Sequence, residues 1–456
     1  MNPAELASWL DDRDVRVIRV EATSLDGPLI GKHVSRAKFE HCLPGGLCVT
    51  DFALAVDVAG TPQLGWWADW RQAALGDIYL RPDLATLVLL PEEPGIAACI
   101  GQFTGVTGVP VPVCPRTLLQ EQTANLTALG YEARCAFELE FFLVEGRIDV
   151  ARRRGFKGLN PVGGQRSKMV YLTQRTPEFL PIMREVTDRL DAIGVPWEAF
   201  NDEGAPGQLE LNIAPADPVT TADRLVRAKR VLRDVAFEHG RSVTFMAKPF
   251  TDLYGSGLHL HLSLWRDGQS VFAAPGGAEI LRWWVGGCLS TIAGATSIML
   301  PTINSFRRQV DFAAAPTTPT WGEENKGAAL RTITREGASA RVEHRLAAGD
   351  ANPYLVLAAV LAGGLAGLDE RCEPPPPSDN LPWGLPADRE RLPSSIRAAS
   401  DALHADQRLR KQLGDVFVDH WVESRKWEWL MFHTSGGDPD AKGTTQWELE
   451  RYFEWV

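Results

Sequence analysis

The stretch Phe137-Glu138-Leu139-Glu140-Phe141 alternates apolar and acidic residues. Three further stretches repeat the rhythm: Gln208-Leu209-Glu210-Leu211-Asn212, Leu258-His259-Leu260-His261-Leu262-Ser263-Leu264 and Arg341-Val342-Glu343-His344-Arg345-Leu346. A period of two is the signature of a β-strand with one buried face. The other face here carries Glu, His and Arg, the side chains that hold hard cations and phosphate groups. Joined in one sheet, the four strands make a metal- and phosphate-binding surface.

Glu138 and Glu140 point the same way from one strand, and like charges so placed repel unless a cation neutralises them. His259 and His261 repeat that spacing directly after Gly255-Ser256-Gly257. Glu203 lies in the turn-forming run Asn201-Asp202-Glu203-Gly204-Ala205-Pro206-Gly207 that leads into Glu210. Arg341, Glu343 and Arg345 set a carboxylate between two guanidinium groups. Taken singly, each motif also fits a solvated strand face or a surface ion-pair ladder, which contributes little to stability. Carboxylates joined by a single imidazole favour Mg²⁺ or Mn²⁺ over Zn²⁺, because hard ions prefer oxygen.

The 456 residues are enough for two or three domains. Apolar residues make up 45% and charged residues 23%, ordinary values for a globular protein. A net charge of −11 argues against a nucleic-acid binder, which needs a basic patch. Seven dispersed cysteines without a C-x-x-C pair suit a reducing cytoplasm. The opening residues have neither a basic segment nor an apolar one, so no signal peptide is expected. The longest uncharged run, 351–368, falls short of a membrane span and reads as a buried helix. There is no Walker A motif, no G-x-G-x-x-G turn and no G-x-S-x-G elbow.

Residues 1–105 read as a small mixed unit, with strands near Val15–Val20 and Leu87–Leu90 and a loop holding Trp66, Trp67, Asp69 and Trp70. Residues 105–115 read as a linker into 106–456. Helices are expected over 115–129, 178–193, 220–239, 351–368, 394–413 and 415–432, several of them closed by glycine. The basic, glycine-rich 151–168 segment is expected to be a mobile loop, and Pro-rich 373–386 a loop or crossover. Half-polar strands separated by helices predict an α+β fold with an antiparallel sheet.

In this order, the motifs resemble the glutamine synthetase superfamily. Its landmarks are Phe137-Glu-Leu-Glu-Phe-Phe, Glu203-Gly-Ala-Pro-Gly-Gln-Leu-Glu210, Phe245-Met-Ala-Lys-Pro, Gly255-Ser-Gly-Leu-His-Leu-His261, Pro301-Thr-Ile-Asn-Ser, Arg341-Val-Glu-His-Arg345 and Asn352-Pro-Tyr-Leu. Thr320-Trp321-Gly322, Ala329-Leu330-Arg331 and Asp350-Ala-Asn-Pro-Tyr-Leu-Val resemble the branch that joins glutamate to amines. The resemblance implies a β-grasp N-terminal domain (1–105) and a catalytic domain (106–456) with a curved antiparallel sheet flanked by helices. It also implies a ring-shaped homo-oligomer, commonly a dodecamer, with sites between neighbouring subunits. Glu140, Glu203 and Glu210 match ligands of a first Mg²⁺ or Mn²⁺, and Glu138, His259 and Glu343 those of a second. His261, Ser263, Arg331 and Arg341 match contacts to ATP. Glu140, Gly255, Arg308 and Arg345 match the glutamate site, and Arg308, Lys326 and Arg331 match catalytic positions.

The sequence departs from the family at the groups that serve ammonium. The flap glutamate aligns with Ala314, an asparagine before Gly255 with Tyr254, and an active-site arginine with Lys326, which lacks the bidentate fork. No N-terminal aspartate for ammonium stands out among Asp51, Asp57 and Asp69. Tyr171, Glu203 and Ala314 mark the expected amine pocket. The expected activity is ATP-dependent joining of the glutamate γ-carboxylate to a primary amine through an acyl phosphate. The competing readings are an ammonia-using glutamine synthetase and a non-catalytic regulatory homologue.

Overall fold

The computed structural model describes residues 1–63, 76–164, 169–335, 337–384 and 390–456. The Trp66–Trp70 loop, Asp69 included, lies outside the described residues. The four alternating stretches do join one sheet. Strand Glu132–Glu145 pairs antiparallel with Leu258–Arg266 on one side and Gln208–Ile213 on the other. Leu258–Arg266 continues to Arg341–His344 and then to Leu330–Ile333. The expected antiparallel pattern fails at that edge, where Trp321–Glu323 runs parallel to Leu330–Ile333. The chain turns through Asn325 there, whose side-chain amide donates to Ser378 O at 2.8 Å and Asn380 O at 3.0 Å.

The apolar face is built from Phe137, Leu139, Phe141, Leu211, Leu260 and Leu262, all buried. Helices Pro115–Ala128, Pro218–Glu238, Gly277–Met299 and Pro353–Glu370 share that core. Gly277–Met299 was not expected from the sequence. It is buried nearly all round, so no amphipathic period marks it. Pro353–Glu370 is long and apolar enough to cross a membrane, but most of it lies inside the protein core.

A second, six-stranded sheet occupies the N-terminal part. Val17–Thr23 pairs antiparallel with Leu29–Ser35 and parallel with Ile96–Thr104, which continues to Asp77–Pro82 and Leu47–Thr50. Ahead of it, Pro3–Asp11 forms an unexpected helix closed by an Asn2–Glu5 capping box. Buried ion pairs fasten this part to the C-terminal helices. Asp26 accepts from Arg425 at 2.6 Å, and Asp57 accepts from Arg451 at 2.7 Å and from Trp427 Nε1 at 2.9 Å.

Two further expectations are corrected. The 151–168 loop begins inside a helix, Ile148–Arg153, which is anchored to the far end of the chain by Arg152 Nε donating to Glu454 at 2.9 Å. The single 394–413 helix is two, Ile396–Ala405 and Gln407–Leu413. Asp406 separates them, because its carboxylate caps the second by accepting from Arg408 N at 3.0 Å and Leu409 N at 2.9 Å.

Helices Gly277–Met299 and Pro353–Glu370 cross where Gly287 faces Gly367. A Cβ on Gly367 would fall 2.1 Å from Trp283 O and 2.8 Å from Gly287. Backbone cannot yield cheaply, so Gly367→Ala should cost roughly 1–3 kcal/mol by overpacking. Gly45→Ala, with nothing within 4 Å of the added carbon, should cost far less. Paired denaturant titrations of the two variants check this; equal midpoints would show that the helix crossing does not depend on glycine.

Candidate active site

The strand register lines up the polar residues in rows. Arg331, Glu343 and His261 are cross-strand neighbours, as are His259, Glu138 and Asn212, and Glu140, Glu210 and Asn201. Glu138 lies between the two histidines. Its Oε2 is 3.1 Å from His259 Nδ1 and its Oε1 is 2.8 Å from His261 Nε2. Burial would raise the Glu138 carboxyl, but hydrogen bonds from His259 and His261 hold it well below the usual range. Glu343 is also lowered: burial opposes ionisation, and Arg345, His259 and His261 overcome it.

Glu140 is fixed by the Gly255–Gly257 turn. Its Oε2 accepts from Gly257 N at 2.6 Å and from Gln208 Nε2 at 3.3 Å, and Gln208 also donates to Gly255 O at 3.0 Å. Gln208 was missed from the sequence, although it sits two residues before Glu210 on the same strand face. Glycine is required in this turn. A Cβ on Gly257 would lie 2.6 Å from Arg308 Nη2 and 2.8 Å from His259 Nε2.

Beyond Glu140 the carboxylates crowd one another. Burial first, then Glu138, Glu140 and Glu203, push Glu210 up to about 9. Burial and Glu140 push Glu203 up to about 7, against a hydrogen bond from Asn201. This crowding of acids fits a divalent cation. Among the described residues, one trio has its ligand atoms within 4.8 Å of one another: Glu138, His261 and Glu343. Glu140 and Glu210 are cross-strand neighbours, and Glu203 lies in the turn that leads into Glu210. The expected ligand His259 is also in reach, 3.1 Å from Glu138 Oε2 and 3.8 Å from both Glu343 Oε1 and Glu140 Oε1.

Arginines border the acids. Arg308 is buried, donates to Leu346 O at 3.2 Å, and has no carboxylate within ion-pair distance among the described residues. A buried, unneutralised guanidinium is a ready receptor for a substrate carboxylate or phosphate. Arg345 and Arg331 both hold Glu343, the latter at 3.1 Å, and Arg331 Nε also donates to Glu324 at 3.1 Å. Arg341 Nε donates to His261 Nδ1 at 3.2 Å. Beside Glu138 a cleft of about 500 Å³ is lined by Arg134, His261, Ser263, Trp265 and Arg341. Arg134 stacks over the Trp265 ring at 3.6 Å, and Trp265 Nε1 donates to Ser263 at 2.9 Å. This aromatic and cationic lining suits a nucleotide base. Arg134 and Trp265 were not anticipated; both lie on the strand face already recognised as functional.

Other expected residues stand apart. Lys326 is exposed on an edge turn and makes no hydrogen bond or ion pair among the described residues. Tyr171 is 60% exposed, with a left-handed backbone (φ 60°), and donates its N–H to Asp202 O at 3.0 Å. Burial, Glu203 and Glu210 raise its hydroxyl. Ala314 is exposed and also left-handed (φ 59°) on the flap after Arg308. Of the N-terminal aspartates, Asp57 is consumed by Arg451 and Trp427, and Asp51 accepts from Gly76 N at 3.0 Å.

The model of the glutamine synthetase catalytic domain matches residues 112–452. The chain belongs to the glutamine synthetase family. It is 30% identical to a glutamate–isopropylamine ligase from Pseudomonas sp, over 99% of this chain and 97% of that one. It is 29% identical to a glutamine synthetase from Thermus thermophilus, over 99% and 98%. A solved structure of GmaS without ligand superposes with a TM-score of 0.82 at 27% identity, covering 97% of this chain and 98% of that one. Family members use ATP and a divalent metal.

The raised Glu210 carboxyl has a testable sign. A carboxyl whose folded value lies above its unfolded one ionises at the expense of stability. The metal-free fold therefore loses stability as pH rises from about 4.5 to about 9 through this group. In chelator, Glu210→Gln should be more stable than the parent, with a margin that grows from pH 5 to pH 9. Denaturant midpoints at three pH values measure it. A margin independent of pH would mean that Glu210 is not charge-strained.

Proposed function

We infer that this protein is an ATP-dependent ligase that joins the γ-carboxylate of L-glutamate to a primary organic amine. The observation carrying the reading is a contrast within one site. The carboxylates, imidazoles and arginines for phosphoryl transfer are assembled on one sheet face, while the flap presents Ala314 where the family places a glutamate for ammonium. Identity does not decide the nucleophile, since the amine ligase and the glutamine synthetase resemble this chain equally.

The chemistry follows from the side chains. ATP occupies the cleft beside Glu138, with its base near Arg134 and Trp265 and its phosphates toward His261, Ser263 and Arg341. Glutamate places a carboxylate on Arg308, beside Gly255 and Arg345. The glutamate γ-carboxylate oxygen attacks the γ-phosphorus, giving an acyl phosphate and ADP. Arg331 and Arg345 offset charge on the moving group. The amine nitrogen then attacks the acyl carbon, phosphate leaves with the C–O bond electrons, and the amine loses a proton. Divalent cations, held by Glu140, Glu203 and Glu210 and by Glu138, Glu343 and a histidine, would neutralise phosphate charge. Water must be kept from the acyl phosphate or it hydrolyses.

The remaining reading follows the family. Residues 1–105 form a β-grasp domain and 106–456 the catalytic domain, in a cytoplasmic ring-shaped homo-oligomer with sites completed by a neighbour. The supporting observations are the parallel central pair of the N-terminal sheet and seven free cysteines.

Two outcomes test this. Phosphate release should require glutamate, an amine and Mg²⁺ or Mn²⁺, and Glu140→Ala should abolish it while leaving the fold intact by circular dichroism. Turnover in excess chelator would defeat the metal assignment. Separately, organic primary amines should exceed ammonium in kcat/KM, and Ala314→Glu should narrow the gap. The flap backbone already holds a non-glycine residue at positive φ, so a longer side chain adds little strain. Ammonium outperforming every amine would restore the ordinary glutamine synthetase reading.

A further inference from the structure

We propose that Tyr254 and Val170 form an apolar wall beside Glu203 that selects amines bearing an alkyl or aryl group over polyamines and ammonium. The proposal rests on the ligase reading. Gly204 lies between the two side chains. A Cβ built on it would be 2.9 and 3.0 Å from Tyr254 Cδ2 and Cε2, and 3.5 Å from Val170 Cγ1. Both side chains therefore reach the backbone immediately after the Glu203 carboxylate. Tyr254 is half-buried and, like Phe250 and Leu253, packs against the cluster that holds Phe142, Met246 and Phe453. Val170 is exposed, as are Met169 and Tyr171 in the same loop, and Tyr171 N is tied to Asp202 O.

The surroundings favour an apolar substituent. Tyr254 precedes Gly255, whose built Cβ would be 2.8 Å from Arg308 Cγ, and Arg308 leads into the flap. That flap exposes Val310 and Phe312, the latter packed edge-to-face on Trp383 with centroids 5.9 Å apart. Asp202 is engaged by Arg175 at 3.1 Å and Asp311 by Arg391 at 3.0 Å, while Asp252, two residues before Tyr254, is exposed. A diamine would have to set its distal ammonium against the Tyr254 ring and the Val170 side chain, neither of which offers it a carboxylate. An alkyl or aryl group gains by leaving water there.

The test uses the full chain with saturating ATP and glutamate. Phosphate release is measured with n-propylamine, benzylamine, 1,4-diaminobutane and ammonium. The parent should prefer the two apolar amines. Tyr254→Asn should lower their kcat/KM by roughly tenfold, the scale of a lost apolar pocket contact, and leave the KM for glutamate unchanged. Tyr254→Phe should retain the preference, since the wall needs the ring and not the hydroxyl. Val170→Asn, at an exposed position, should weaken it in the same direction and keeps the test open if Tyr254→Asn does not fold. Preference for the diamine would overturn the wall while leaving the ligase reading intact. A Tyr254→Asn effect confined to glutamate KM would overturn it too, assigning the ring to the amino-acid side. Phosphate release with no amine at all would overturn both readings together.

Discussion

Repulsion among carboxylates is the constraint around which this structure is organised. Glu138, Glu140, Glu210 and Glu343 project from three strands of one sheet, and Glu203 joins them from a turn. The sheet fixes their backbones, so they cannot relax apart. Two are stabilised internally, Glu138 by hydrogen bonds with His259 and His261 and Glu343 by arginines. Glu203 and Glu210 are not, and burial followed by the neighbouring carboxylates pushes both up. A fold tolerates such a cluster only with a large core elsewhere, and the buried helices behind the sheet supply it.

The same constraint explains the glycines and the buried arginine. Gly257 gives Glu140 a backbone donor and leaves room for Arg308 and His259. Arg308 is held by a carbonyl and not by an acid, so its charge remains for a ligand. Acids in excess on one side and an unneutralised guanidinium on the other produce a strong local field. That field suits a reaction in which negative charge moves between two oxygens.

The sheet was legible because period-two alternation survives whatever else a strand does, and each polar row carried residue types too specific for a solvated face. Gln208 and Trp265 belong to the same rows and were within reach of that rule. The helix Gly277–Met299 was not, since a helix buried all round has no polar face to reveal its period. Asp406 reads as one more helical residue until its role as a cap is seen. Which of the two histidines of one face serves Glu138 turns on a few tenths of an ångström, His259 at 3.1 Å and His261 at 2.8 Å. No spacing rule resolves that.

Substrate choice sits at a different level from chemistry in this architecture. The phosphoryl-transfer groups are on strands, where a displaced residue would disturb the core beneath it. Tyr171, Val170, Tyr254 and Ala314 are on turns and loops, two of them at positive φ, where side chains change without touching the sheet. The one point where the levels meet is Gly204, between the Glu203 carboxylate and the Tyr254 ring. A change of amine can therefore be made by altering what packs on Gly204 while the carboxylates stay in place. That is the physical reason one sheet can serve ligases with different nucleophiles.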